Sequence, residues 1–130
     1  MRDKERLHMK YVLMIEDDAT LQNMYKDAFD TQNFILTTVS TGKAGLAKAK
    51  EIPAPNLIIL DIMLPEGMNG FDVLQELKKD PKTATIPVLV MTNLDTEQKT
   101  AMELGSSGYF VKANTEITAV IDKVNALLGV

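Results

Sequence analysis

Four strand-like stretches of this chain each end in a residue that can do chemistry. Asp61 follows Leu57-Ile58-Ile59-Leu60, and Glu16-Asp17-Asp18 follow Tyr11-Val12-Leu13-Met14-Ile15. Thr92-Asn93 follow Pro87-Val88-Leu89-Val90-Met91, and Lys112 follows Ser107 to Val111. Short unbroken apolar runs suit strands buried on both faces of a parallel sheet, so each polar group stands where a strand surfaces. If Glu16, Asp17 and Asp61 meet, each pair of carboxylates repels by about 1 kcal/mol in water and by ~4 kcal/mol at an effective dielectric of 20. Such a cluster calls for a cation. A site of oxygen donors, with neither His nor Cys, selects a hard divalent ion. A shallow site with few carboxylates suits Mg²⁺, with Mn²⁺ as a substitute, because Mg²⁺ keeps several waters and accepts phosphate oxygens. Lys112 adds a fixed positive charge and Thr92 a hydroxyl donor. These are the parts of a phosphoryl-transfer site: a carboxylate nucleophile, a metal, and a lysine and a hydroxyl for the remaining charge. Asp61 is the expected nucleophile, since it stands alone after its strand, whereas Glu16 and Asp17 are adjacent and better placed to share the metal.

The elements that must position these groups alternate along the chain. After the first strand, Leu21, Met24, Tyr25, Ala28 and Phe29 recur at helical spacing, with Asp17 or Asp18 as cap. Phe34 to Val39 reads as a more polar strand near a sheet edge. Ser40-Thr41-Gly42 opens an alanine- and lysine-rich helix that fades at Ile52-Pro53. A loop, Leu64-Pro65-Glu66-Gly67-Met68-Asn69, leads through Gly70 to a helix over Phe71 to Lys79, stopped by Asp80-Pro81. A helix from about Thr96 to Leu104 ends at Gly105, a left-handed stop. The last helix carries Ile117, Val120, Ile121, Val124, Leu127 and Leu128 on one side, with Asn114 or Thr115 as its cap. Five strands alternating with five helices predict an α/β fold with one doubly wound parallel sheet. Right-handed crossovers in such a sheet bring every strand's C-terminal end to one edge, where ligands bind.

Composition narrows the function. The 130 residues, 45% hydrophobic and 25% charged, suit a single domain. Residues 10–130 are expected to form it, after a flexible polar tail over residues 1–9 in which Met9 offers a second start. No apolar run approaches the ~20 residues of a membrane span. The absence of cysteine excludes disulfides, thiolate metal sites and cysteine nucleophiles, and a cytoplasmic location is expected. A net charge of −4 works against binding nucleic acid through this domain. His8, the sole histidine, lies in the tail and is read neither as a ligand nor as a phosphohistidine.

In the order Glu16-Asp17, Asp61 with Leu64-Pro65 and a later glycine, Thr92, then Lys112, the chain resembles the receiver domain of two-component response regulators from about Lys10 to Leu128. The resemblance implies a flavodoxin-like strand order 2-1-3-4-5, for which a family member is a standard example. It implies that Asp61 accepts a phosphoryl group from a histidine kinase or a histidine phosphotransfer protein. Glu16, Asp17, Asp61 and the backbone carbonyl of Met63 would hold Mg²⁺. Thr92 and Tyr109 would form a switch pair, with Thr92 and Lys112 stabilising the phosphoryl group. The chain would not be a conventional turnover enzyme, although it would promote its own phosphorylation and dephosphorylation. Downstream it would bind a protein target, with the fourth and fifth helices and the fifth strand as the expected surface.

Several positions depart from the family pattern. Asn93 follows the switch threonine where a small residue is common, and its bulk is expected to slow attack by water. Ala113 replaces a proline after Lys112. A trans bond is expected there, because a non-proline cis bond costs roughly 2.5–4 kcal/mol. The Pro65 to Gly70 loop is one residue longer than usual in the family, and a short Thr92 to Lys112 interval implies a trimmed fourth helix. Taken singly, each group has a plainer reading: Asp17 and Asp18 as caps, Thr92 as a strand-end hydroxyl, Lys112 as a solvated charge, Tyr109 as a packed ring and the methionines as core filler. Their coincidence at one edge favours the site. The alternative function is a receiver-like module that binds partners without phosphorylation. An aspartate-based phosphatase would want an acid where Met63 stands. A flavin or dinucleotide carrier would need a phosphate loop where Glu16-Asp17-Asp18 repel phosphate. Few residues follow the last helix, so the expectation is a stand-alone receiver or one excised from a longer regulator.

Overall fold

The computed structural model describes residues 9–129, so all but Met9 of the expected tail over residues 1–9 lies outside the described residues. Five strands form one sheet: β1 (Lys10–Ile15), β2 (Phe34–Val39), β3 (Leu57–Leu60), β4 (Val88–Thr92) and β5 (Gly108–Val111). All pairings are parallel, and the order is β2-β1-β3-β4-β5. The helices are α1 (Ala19–Asp30), α2 (Gly42–Ala49), α3 (Gly70–Lys79), α4 (Gln98–Glu103) and α5 (Ile117–Leu128).

The period-two alternation of the strands divides the core between two faces. Val12, Met14, Leu57, Ile59, Leu89 and Met91 pack with Tyr25 and Phe29 of α1 and with Val120, Ile121 and Val124 of α5. Leu13, Ile15, Ile58, Leu60, Val88 and Val90 face the other way, toward Ala49 of α2, Val73, Leu74 and Leu77 of α3, and Ala101 of α4. Apolar side chains on both sides leave no polar position inside β3, whose four residues are all buried. Chemistry is therefore confined to the strand ends. The more polar β2 lies at the sheet edge, where one side of a strand lacks a neighbour.

Local chemistry sets the element boundaries. Asp18 is the cap of α1, its Oδ1 accepting from the Thr20 and Leu21 N–H groups. A capping box starts α3: the Asn69 side chain accepts from Asp72 N, and an Asp72 side-chain oxygen accepts from Asn69 N. That helix ends before Pro81, with Asp80 in the extended conformation that proline imposes on its predecessor. Helix α4 has only six residues and no side-chain cap, so the trimmed fourth helix is present. Gly105 after it has φ +104°. The Lys112–Ala113 bond is trans, and among the described residues the cis bond is Ile52–Pro53.

One expected cap is corrected. Neither Asn114 nor Thr115 caps α5; Glu116 occupies that position and makes no side-chain capping bond. Lys112–Asn114 form a 3-10 turn, and the Thr115 hydroxyl donates backward to the Val111 carbonyl at 2.8 Å, which ties its side chain to the end of β5 while the helix starts after Glu116.

Tyr25 stands behind β1 and β4, donating its hydroxyl to Met91 Sδ at 3.3 Å and stacking on Phe29. Burial, with the charge of Glu16 adding to it, pushes its phenol from 10.0 up to about 12. The folded state therefore keeps a proton that the unfolded chain gives up first, so stability falls as the pH rises above 10. Urea unfolding between about pH 9 and pH 11 should show wild type losing about 1 kcal/mol more than Tyr25→Phe. Parallel losses in the two proteins would contradict this account.

Candidate functional site

The β1–α1 turn begins as an extension of the sheet. Glu16 N donates to Val39 O at 2.9 Å, and Asp61 N donates to Ile15 O at 3.0 Å, so both acids leave the sheet still tied to neighbouring strands. Register and right-handed connections then bring Glu16, Asp17 and Asp61 together: a carboxylate oxygen from each lies within 4.8 Å of the others. Glu16 and Asp61 are 1% and 4% exposed, whereas Asp17 is open to solvent. Its carboxylate is the one a small ion would meet first.

Lys112 reaches this cluster from the end of β5. Its Nζ donates to Asp61 Oδ2 at 2.7 Å and forms an ion pair with Glu16 Oε1. The other oxygens are partly used. Asp61 Oδ1 accepts from Met63 N at 3.1 Å, and Glu16 Oε2 accepts from Asp18 N at 3.0 Å. Burial pulls the Lys112 ammonium down, but its hydrogen bonds to Asp61 and Glu16 outweigh that and hold it above the ordinary lysine range. Burial likewise pushes Glu16 up, against the hydrogen bonds from Lys112 and from the Asp18 N–H.

A single lysine does not complete the site. Three carboxylates face one ammonium, and Glu16 Oε1 has only the Lys112 ammonium, which it shares with Asp61, to offset its charge. A carboxylate cluster with more negative charge than its one lysine balances is what a hard divalent cation would relieve. The donor set fits Mg²⁺ or Mn²⁺, which Glu16, Asp17 and Asp61 would hold and which would supply positive charge to offset that of a phosphoryl group.

The remaining expected residues surround this centre. Thr92 ends β4 fully buried, its Oγ1 accepting from Leu94 N at 3.4 Å. Tyr109 on β5 donates its hydroxyl to the Leu94 carbonyl, so both members of the expected switch pair hold the same residue of the β4–α4 loop. Asn93 is exposed beside them. Met63 offers its main chain to the site while its side chain is 59% exposed.

Two supports were not foreseen from the sequence. Gln22, one turn into α1, donates from Nε2 to the Glu16 carbonyl and to Ser40 Oγ at 3.2 Å, fastening the acidic turn from behind. Nothing in its type or spacing marks it. Gly70 N donates to Ile62 O at 2.7 Å, and a Cβ at Gly70 would meet the Asp61 carbonyl and lie 2.5 Å from Ile62 Cα. The start of α3 is thus pressed directly against the backbone of the central acid. The glycine before a helical pattern was the visible signal, although it does not reveal what lies opposite.

Known proteins are similar to this chain in sequence and fold. The family model for the response regulator receiver domain matches residues 12–124. The DNA-binding dual master transcriptional regulator RpaA of Synechocystis is 32% identical over 122 residues, covering 92% of this chain and 49% of RpaA. Protein PilH of Pseudomonas aeruginosa is 28% identical over 123 residues, covering 93% of this chain and 99% of PilH. The crystal structure of the Mn²⁺-bound form of response regulator Rcp1 superposes with a TM-score of 0.75 at 28% identity, covering 92% of this chain and 90% of that one. The chain spans about half the length of several curated relatives it matches, RpaA among them. With a match over nearly the whole fold and an acidic cluster at the strand ends, the chain belongs to the family of response regulator receiver domains.

Proposed function

We propose that Asp61 is the phosphoacceptor of this receiver and takes its phosphoryl group from a phosphohistidine on a histidine kinase or a histidine phosphotransfer protein. The observation that carries the reading is the meeting of Glu16, Asp17 and Asp61 within 4.8 Å, with Lys112 bonded to Asp61. An Asp61 oxygen attacks phosphorus as the P–N bond to the donor histidine breaks, forming an acyl phosphate and returning the electron pair to the imidazole. The Lys112 ammonium follows the charge from Asp61 Oδ2 to the phosphoryl oxygens. Thr92 turns its hydroxyl from Leu94 N toward the same oxygens, and the loop that Tyr109 holds through Leu94 shifts with it. Met63 would contribute its carbonyl to the metal. Rcp1, crystallised with Mn²⁺, supports a divalent ion in such a site, and the oxygen donors favour Mg²⁺ as the resident ion with Mn²⁺ as its substitute.

The domain is read as a switch and not as a turnover enzyme. Its partners would be a cytoplasmic kinase or phosphotransfer protein and a downstream protein target. Neither nucleic acid nor a membrane is proposed as a ligand of this domain, and no helix among the described residues is long and apolar enough to cross a membrane. A module that binds partners without phosphorylation is disfavoured, because Asp61, its two acidic neighbours, Thr92 and Lys112 are all in place.

Incubation with Mg²⁺ and a small phosphodonor such as acetyl phosphate should add one phosphoryl mass to wild type and none to Asp61→Asn. Equal labelling of the two proteins, or none of either, would refute the assignment. Titration by calorimetry should give a saturable Mn²⁺ site that weakens by about 10–100-fold in Asp17→Asn, whose solvent-exposed position spares the fold. An unchanged affinity would remove Asp17 from the metal site. Asn93→Ala should shorten the lifetime of the phosphorylated form by several-fold on the order of the tenfold set by 1.4 kcal/mol. An unchanged decay rate would show that this exposed side chain does not control access of water.

A further inference from the structure

The loop between β3 and α3 contains the dipeptide Asn69-Gly70. In a flexible peptide this pair is chemically labile, because glycine leaves its own nitrogen free to approach the asparagine side chain. The Gly70 nitrogen attacks Asn69 Cγ, the Cγ–Nδ2 bond breaks, and ammonia leaves with formation of a five-membered succinimide. Water then opens either carbonyl, giving aspartate or isoaspartate, the latter with one extra methylene in the main chain.

Three features of the fold oppose the first step. The attacking nitrogen is engaged, its N–H donating to Ile62 O at 2.7 Å. The side chain is held by its bond from Asp72 N at 3.0 Å, and the Asn69 N–H by Asp72 Oδ2 at 3.0 Å. The backbone at Asn69 is held extended, with φ −85° and ψ 175°, and must rotate before the Gly70 nitrogen can come into line with the side chain for ring closure. Attack therefore requires the first turn of α3 to open. The consequence would be local as well. Gly70 is seated so closely that even a Cβ would collide with the Asp61 carbonyl and Ile62 Cα, so an inserted methylene cannot be absorbed without moving the backbone of Asp61.

We propose that Asn69 is a latent deamidation site, kept unreactive by the capping box of α3, and that its isoaspartyl product disables the neighbouring acidic cluster. The aspartyl product is a different case, since aspartate is as good a helix cap as asparagine and keeps the length of the chain. The second half of this proposal rests on the reading of the cluster as a metal site; the first half does not.

The full chain and a peptide covering the β3–α3 loop are aged side by side in mildly alkaline buffer, following ammonia loss by mass and isoaspartate by enzymatic methylation. The folded chain should react on the order of tenfold more slowly than the peptide, and Asp72→Ala should recover a large part of that difference. Equal rates in folded chain and peptide, or no acceleration in Asp72→Ala, would overturn the protection. Mn²⁺ titration of the purified isoaspartyl form should show weakened binding, while Asn69→Asp binds like wild type. An isoaspartyl form with wild-type affinity would overturn the claim of damage. Failure of wild type and Asn69→Asp alike to bind Mn²⁺ would instead overturn the metal-site reading and with it this second half.

Discussion

Three carboxylates at one end of a parallel sheet repel one another, and the rest of the site is arranged around the need to hold them there. At an effective dielectric of 20 each close pair costs about 4 kcal/mol, comparable with the net stability of a small domain. Lys112 offsets part of this by bonding Asp61 and pairing with Glu16. The balance stays negative, because one ammonium is shared between two of the three carboxylates. A divalent cation and a phosphoryl group are the two additions that such an arrangement can use in sequence, the first reducing the repulsion and the second exploiting what remains of the positive field.

Holding the acids in place falls to the backbone rather than to salt bridges. Glu16 and Asp61 donate their N–H groups to the ends of neighbouring strands, so their main chains are as fixed as the sheet itself. Gln22 fastens the Glu16 carbonyl from α1, and Gly70 lets α3 begin in contact with the Asp61 carbonyl. Side-chain hydrogen bonds from the Asp18 and Met63 N–H groups then fix the carboxylates. Rigidity on one side contrasts with the β4–α4 loop, where Thr92 and Tyr109 meet at a single residue, Leu94, before a helix of six residues without a cap. Stiff elements around the acids and a lightly anchored loop beside them support the switching proposed for this domain.

Much of this was legible in the chain. The apolar runs of β1, β3 and β4 and the alternation with helices specified a parallel sheet, because a strand covered on both faces has no room for polar side chains. The acids at the ends of β1 and β3 and the lysine after β5 followed from that, since any functional group on a doubly buried strand must wait for its end. The sequence also exposed the edge position of β2 by its polarity and the shortness of α4 by the interval between Thr92 and Lys112. The cap of α5 differs from the expected one, because the hydroxyl of Thr115 donates back to the Val111 carbonyl and a 3-10 turn moves the helix start to Glu116, a local arrangement that propensity cannot resolve.

Residue types and their order along the chain therefore determined which groups gather at the strand ends and what chemistry they suit, since both follow from hydrophobic burial and from the handedness of parallel connections. Only the tertiary structure decided which oxygen each group would meet. Lys112 spans Asp61 and Glu16, Gln22 reaches the back of the acidic turn, and Gly70 rests on Asp61. These contacts join residues as far apart along the chain as Lys112 and Asp61, at 51 positions, and Lys112 and Glu16, at more. They depend on ångström-scale register between elements, which local sequence preferences do not encode and which packing of the two cores fixes.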